Sequence, residues 1–148
     1  MKRLHVHVSV ADLGSAVTFY STLFDAQPSV QKADYARWVL DDPRVNFAIS
    51  LSSRTPGVSH LGIQAHDTEE LATLYDRVDR IGGADLDEGE VTCCYARSEK
   101  SWVQDPAGIA WEIFETRGPA DQLGSETFGP AGLVGQAPGT ANCCAKAS

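Results

Sequence analysis

Basic residues are scarce in this chain: 12 Lys and Arg stand against 20 Asp and Glu in 148 residues, a formal net charge of -8. That balance repels phosphate backbones, and no basic patch interrupts it, so nucleic acid is not an expected partner. Long apolar runs are missing too. None approaches the roughly 18 uncharged residues that span a bilayer, and no membrane partner is expected. The opening stretch, Met1 to Leu13, alternates polar and apolar side chains. It lacks the continuous apolar segment of a secretory signal, so a cytoplasmic location is the expectation. What remains, 43% hydrophobic and 22% charged residues, is the balance of a globular chain of one-domain length.

Cysteine is sparse, but its placement carries information. The four cysteines form two adjacent pairs, Cys93-Cys94 and Cys143-Cys144. Neighbouring Cα atoms lie about 3.8 Å apart, inside the usual disulfide separation of roughly 4.4–6.8 Å, so a bridge within a pair is strained. In a reducing cytosol each pair persists as a dithiol, a chelator for a soft, thiophilic ion.

The organising pattern is an internal repeat. His5-Val6-His7-Val8 aligns with His60-Leu61-Gly62-Ile63, Asp12 with Asp67, and Phe19-Tyr20 with Leu74-Tyr75. In each copy a short alternating strand leads into a helix opened by an Asp N-cap, and Asp67 with Glu70 has capping-box spacing. The helices, about 12–24 and 67–81, present Leu13, Val17, Tyr20 and Phe24, and Leu71, Leu74, Tyr75 and Val78, at the spacings of a buried face. Gly82-Gly83 ends the second helix. Short β-like runs follow: Tyr35 to Leu40 and Val45 to Leu51 in the first half, then Val91 to Tyr95, Trp102-Val103 and Ile109 to Phe114 in the second.

The expected fold is therefore α+β: two βαβββ modules, about 1–54 and 55–116, closing around a shared concave cavity. From residue 117 the chain turns Gly- and Pro-rich without apolar periodicity, which reads as a flexible tail over 117–148 ending in the second cysteine pair.

Alternation places Leu4, Val6, Val8 and Val10 on one face of the first strand and His5, His7 and Ser9 on the other. The repeat divides Leu61, Ile63 and Ala65 from His60, Gly62 and Gln64 in the same way. His5 and His60, at equivalent positions, would meet in the cavity, and Glu112 on the last strand would join them. His7, whose counterpart is Gly62, is assigned to the cavity wall or to a place behind the ligands, and His66 to the surface. Two imidazoles and a carboxylate suit Zn(II) with an open water position, or the facial triad of non-haem Fe(II). For Cys93 and Cys94 to act together the strand must bulge, because successive strand side chains diverge. The polar stretch Tyr95 to Lys100 could supply that irregularity, and Arg97 and Lys100 could favour the thiolate.

These residues resemble a family. The His5 to Asp12 spacing, Phe19-Tyr20, Gly57-Val-Ser-His60-Leu-Gly-Ile and Asp105-Pro-Ala-Gly108 with Glu112 look like the vicinal oxygen chelate superfamily, whose members include glyoxalase I, extradiol dioxygenases and fosfomycin-resistance proteins. Three stretches look closest to the organoarsenical carbon–arsenic lyases and related cadmium-induced proteins: Asp34 to Ser50, Thr92-Cys-Cys-Tyr-Ala-Arg-Ser98 and Trp102-Val-Gln-Asp-Pro-Ala-Gly108. The resemblance covers about residues 1–116.

The resemblance implies a vicinal oxygen chelate fold with a shared metal cavity, metal ligands and catalytic centre at His5, His60 and Glu112, and arsenic-binding thiols at Cys93 and Cys94. The first module has Ala48 and Ile49 near the place that Glu112 takes in the second, which departs from the four-ligand glyoxalase arrangement. The implied activity is an Fe(II)- and O2-dependent lyase that converts a trivalent organoarsenical such as methylarsenite to arsenite, with formaldehyde as the carbon product. It leaves room for a homodimer. Two rival expectations stand beside it: a cadmium- or arsenic-sequestering protein without turnover, and a dioxygenase or thiol transferase acting on an organic substrate without need of the cysteines.

Overall fold

A computed structural model of the chain describes the backbone of residues 1–51, 55–93 and 96–119, and their side chains except at 91–93, 96 and 119. The elements run β1 (Arg3–Val10), α1 (Leu13–Phe24), β2 (Val30–Gln31), β3 (Tyr35–Asp41) and β4 (Arg44–Leu51), then β5 (Gly57–Ala65), α2 (Thr68–Arg80), β6 (Leu86–Cys93), β7 (Ala96–Gln104) and β8 (Ala110–Pro119). Each half is thus βαβββ, as the repeat predicts.

Both helices start on the expected caps. The Asp12 carboxylate accepts the Ser15 N–H at 2.7 Å, and Asp67 accepts that of Glu70 at 2.8 Å. The return bond of the capping box is displaced by one residue. Glu70 Oε2 takes the N–H of His66 at 3.0 Å, while Oε1 meets the N-terminal ammonium and Lys2. Beyond α2, the N–H groups of Gly82 and Gly83 close on the carbonyls of Asp79 and Val78, with φ of 117° and 91° that favour glycine.

The strands form one eight-stranded sheet in the order β2-β3-β4-β1-β5-β8-β7-β6. The two modules meet where β1 pairs antiparallel with β5, and each central strand pairs parallel with the last strand of its own module, β4 or β8. In the β1–β5 ladder Val6 faces Leu61, its own repeat equivalent, so a pseudo-dyad passes through that pair. On either side of it His5 pairs with Gly62 and His7 with His60.

The two helices cover one face of this sheet. Leu13, Trp38, Phe47 and Ile49 form a core with Val6, Val8, Tyr20 and Phe24, and Leu71, Leu74, Val78, Val103 and Ile113 form its counterpart. The opposite face is polar and still buried: His5, His7, Asn46, Ser50, His60, Lys100 and Glu112 lie on it. Polar groups on the uncovered side of a sheet escape water only where the sheet curls around them.

Four boundaries differ from the sequence reading. β2 is a two-residue edge strand without a detectable pattern. β6 begins at Leu86, in a Gly- and acid-containing stretch interrupted by a bulge between Asp87 and Gly89. β7 spans Ala96–Gln104 rather than Trp102-Val103, because the side chains it turns inward, Ser98 and Lys100, are polar and give no hydrophobic signal. β8 runs on to Pro119, past the start expected for the tail. Residues 120–148, with Cys143 and Cys144, lie outside the described residues.

The core assignment is checked by truncation. Leu74 is 2% exposed and Leu23 63% exposed. Leu74→Ala should cost about 2–5 kcal/mol in urea denaturation, and Leu23→Ala should stay within about 0.5 kcal/mol of the parent.

Candidate metal centre

Three strands bring the proposed ligands together. β1 supplies His5, β5 supplies His60, and β8, paired with β5 in a register that sets Glu112 beside Gly62, supplies the carboxylate. Glu112 Oε2 lies 3.6 Å from His5 Nε2 and 3.7 Å from His60 Nε2. Ligands bound to one ion at about 2.1 Å sit roughly 3.0–3.4 Å apart, and both of these separations are a few tenths of an ångström longer. The donor set of two imidazole nitrogens and one carboxylate oxygen fits Fe(II) and also Zn(II). All three residues are buried.

Neighbouring oxygens orient the rings. His5 Nδ1 is 2.9 Å from the Asn46 carbonyl oxygen, which fixes its N–H there and turns Nε2 toward Glu112. His60 Nδ1 is 3.2 Å from Ser59 Oγ. The close approach of β5 to β8 depends on Gly62. A Cβ there would stand 2.5 Å from the Glu112 carbonyl oxygen and 3.2 Å from Glu112 Cβ.

Lys100, expected to favour the thiolates, has a partner in this site. It points from β7 into the buried face, where Nζ donates to Glu112 Oε1 at 2.9 Å. Trp102, fully buried, flanks the same site with its ring 5.0 Å from that of His60, and Phe114 packs its ring 5.2 Å from His5. The alternation of Ser98, Lys100 and Trp102 along one strand face was the signal that could have placed this lysine. His7 is also in the cluster: one nitrogen from each of His5, His7 and His60 lies within 4.8 Å of the others. His66 is exposed, as expected.

For the cysteines, Cys93 is the last residue of β6 and pairs with Ala96 of β7. Its side chain is not described, and Cys94 lies outside the described residues. The irregularity expected over Tyr95 to Lys100 is limited, from Ala96 onward, to one break in the pairing. That segment is paired strand, with one register shift between Arg97 and Ser98 against β8.

Burial dominates the electrostatics. It pushes the His5 imidazole down to about 4 against the pull of Glu112, with His60 adding to the decrease. His7 is likewise held well below its ordinary value by burial and then by the other two rings. For Glu112 burial pushes the carboxyl up, but Lys100 and the two histidines outweigh it and hold it well below the usual range. At neutral pH the site therefore offers uncharged His5 and His7 rings and an ionised carboxylate, the forms that bind metal.

This arrangement predicts acid sensitivity of the metal-free protein. An unfolded histidine takes its proton near pH 6.5, whereas folded His5 resists until about pH 4. Stability is complete above pH 6.5 and falls as the pH drops toward 4, by about 3 kcal/mol from His5. Urea midpoints at pH 7 and 4.5 should show the loss, and His5→Gln should flatten it; equal midpoints for the parent would contradict it.

Comparison with known proteins agrees with this architecture. Residues 2–113 match the Glyoxalase/Bleomycin resistance protein/Dioxygenase superfamily. The chain is 41% identical over 120 residues to the trivalent organoarsenical cleaving enzyme of Bacillus sp. (strain MD1), covering 79% of this chain and 74% of that one. It is 32% identical over 126 residues to the cadmium-induced protein CadI of Mycobacterium bovis, covering 84% and 83%. Among solved structures, a glyoxalase/bleomycin resistance protein/dioxygenase superfamily member from Vibrio splendidus 12B01 superposes with a TM-score of 0.52 at 18% identity, covering 78% of this chain and 99% of that one. The paired βαβββ modules, the buried polar face and the match over nearly all the described residues together make this chain a member of the glyoxalase, or vicinal oxygen chelate, superfamily.

Proposed function

We propose that this protein is an Fe(II)- and O2-dependent lyase that cleaves the carbon–arsenic bond of trivalent organoarsenicals such as methylarsenite, in a detoxifying role within the cytoplasm. The observation that carries the reading is the buried meeting of His5, His60 and Glu112 in a chain 41% identical to a protein named for organoarsenical cleavage. The net change balances: methylarsenite and O2 give arsenite and formaldehyde, with one oxygen atom passing to arsenic and one to carbon.

Each residue has a definable task. His5 presents a neutral nitrogen, His60 a second imidazole, and Glu112 presents Oε2 while Lys100 occupies Oε1. That division keeps the carboxylate ionised and leaves Oε2 as the oxygen that would take a metal. Fe(II), when held there, supplies the dioxygen chemistry that side chains lack. The Cys93 and Cys94 thiolates would hold arsenic(III) as a soft-ligand chelate. Holding substrate and oxidant at one centre makes the reaction effectively unimolecular, worth roughly 7–11 kcal/mol when orientation is good.

Similarity to the cadmium-induced protein supports a second reading, a sequestering protein that binds soft ions through its thiols without turnover. The two separate in one experiment. Reduced protein is incubated with Fe(II), a thiol and methylarsenite, with and without air, and arsenic species are resolved by chromatography. Inorganic arsenite is expected only with both iron and oxygen. Intact methylarsenite bound stoichiometrically under all conditions would favour sequestration instead.

Substitutions divide the roles. Glu112→Ala should abolish turnover yet leave arsenic(III) binding intact, because the thiols are unchanged. Cys93→Ser and Cys94→Ser should each remove binding and turnover together. Retained methylarsenite cleavage in the cysteine variants would overturn the role of the thiolates as the arsenic site.

A further inference from the structure

The pseudo-dyad allows each position of one module to be compared with its counterpart in the other. Glu112 pairs with Gly62, and the equivalent pair in the first module is Ala48 with His7. The exchange of size is reciprocal. Where β8 carries a large ligand, the central strand must be glycine, since even a Cβ on Gly62 would strike Glu112. Where β4 carries only Ala48, fully buried, the central strand carries an imidazole in the space left over. The first module thus has an imidazole on β1 where the second has a carboxylate on β8.

His7 has the surroundings of a ligand. It is 2% exposed, its ring lies 4.8 Å from that of His60 and 6.1 Å from that of His5, and one nitrogen of each ring lies within 4.8 Å of the others. These separations are compatible with three imidazoles on one ion at about 2.1 Å bonds. Each ring also has an oxygen at one nitrogen: the Asn46 carbonyl for His5, Ser59 Oγ for His60, and Ser50 Oγ 2.8 Å from His7 Nε2. A metal-bound imidazole needs such a partner for its remaining N–H.

We propose that His7 joins His5 and His60 as a third imidazole ligand of the metal in this site. The inference rests on the metal-site reading above and extends it. A cysteine pair that binds arsenic outside the metal's own ligand set would leave room for this additional protein donor.

Paramagnetic NMR counts the ligands directly. Reduced full-length protein is loaded anaerobically with Co(II), and proton spectra are recorded in H2O and after loading in D2O. Each imidazole on Co(II) contributes one strongly shifted N–H resonance that is absent in D2O. One resonance each from His5, His7 and His60 is expected. His7→Gln should remove a single resonance, leave the other two, and weaken Co(II) binding at least about 10-fold in a competition titration. Only two resonances in the parent protein would overturn the role of His7 while leaving the metal site in place. Co(II) that fails to bind, or binds without any imidazole resonance, would overturn both readings.

Discussion

A carboxylate buried inside a curled sheet must be compensated where it stands, and the site of this protein follows from that requirement. Removing an ionised carboxylate from water costs several kcal/mol even after relaxation. Glu112 recovers that cost from Lys100 Nζ at 2.9 Å and from the two imidazoles facing its other oxygen. The ammonium comes from β7 and the carboxylate from β8, so the pair also fixes how these strands present their inner faces. With Oε1 committed to Lys100, Oε2 is the oxygen turned toward His5 and His60. One ion pair thereby sets the charge, the direction and the single free ligating atom of the carboxylate.

The second constraint is duplication. Two βαβββ units joined through their first strands bring equivalent residues to the two sides of a dyad without any long-range loop having to place them. That is how His5 and His60 come to lie with their ring centres 5.3 Å apart. Duplication also lets the two halves diverge in a complementary way, as the pairs His7–Ala48 and Gly62–Glu112 do. Parallel register holds the two members of each pair at the same height in the sheet.

Much of this was legible in the residues. The apolar periodicity of Leu13, Val17, Tyr20 and Phe24, and of Leu71, Leu74 and Val78, is local, and those residues form the two helix–sheet cores. Asp12 and Asp67 act as caps because capping needs only a side-chain oxygen reaching three residues on. The alternation of β1 separated histidines from valines for the same reason. Less legible were β2, β6 and the first half of β7. Edge strands carry little hydrophobic contrast, and Ser98 and Lys100 are inward-facing yet polar, so the usual sign of burial is absent.

The sequence by itself therefore determined the duplicated architecture, both helices and the candidate triad, because each is encoded by spacing within a few residues or by repetition of such a spacing. Only the tertiary structure decided which residues share the buried face across strands. It set Lys100 on Glu112, and it brought His7 beside His60 and Ala48. Register between strands far apart in the chain makes those choices. It is set by the packing of whole faces and by the requirement that every buried charge meet its partner, neither of which a local pattern records.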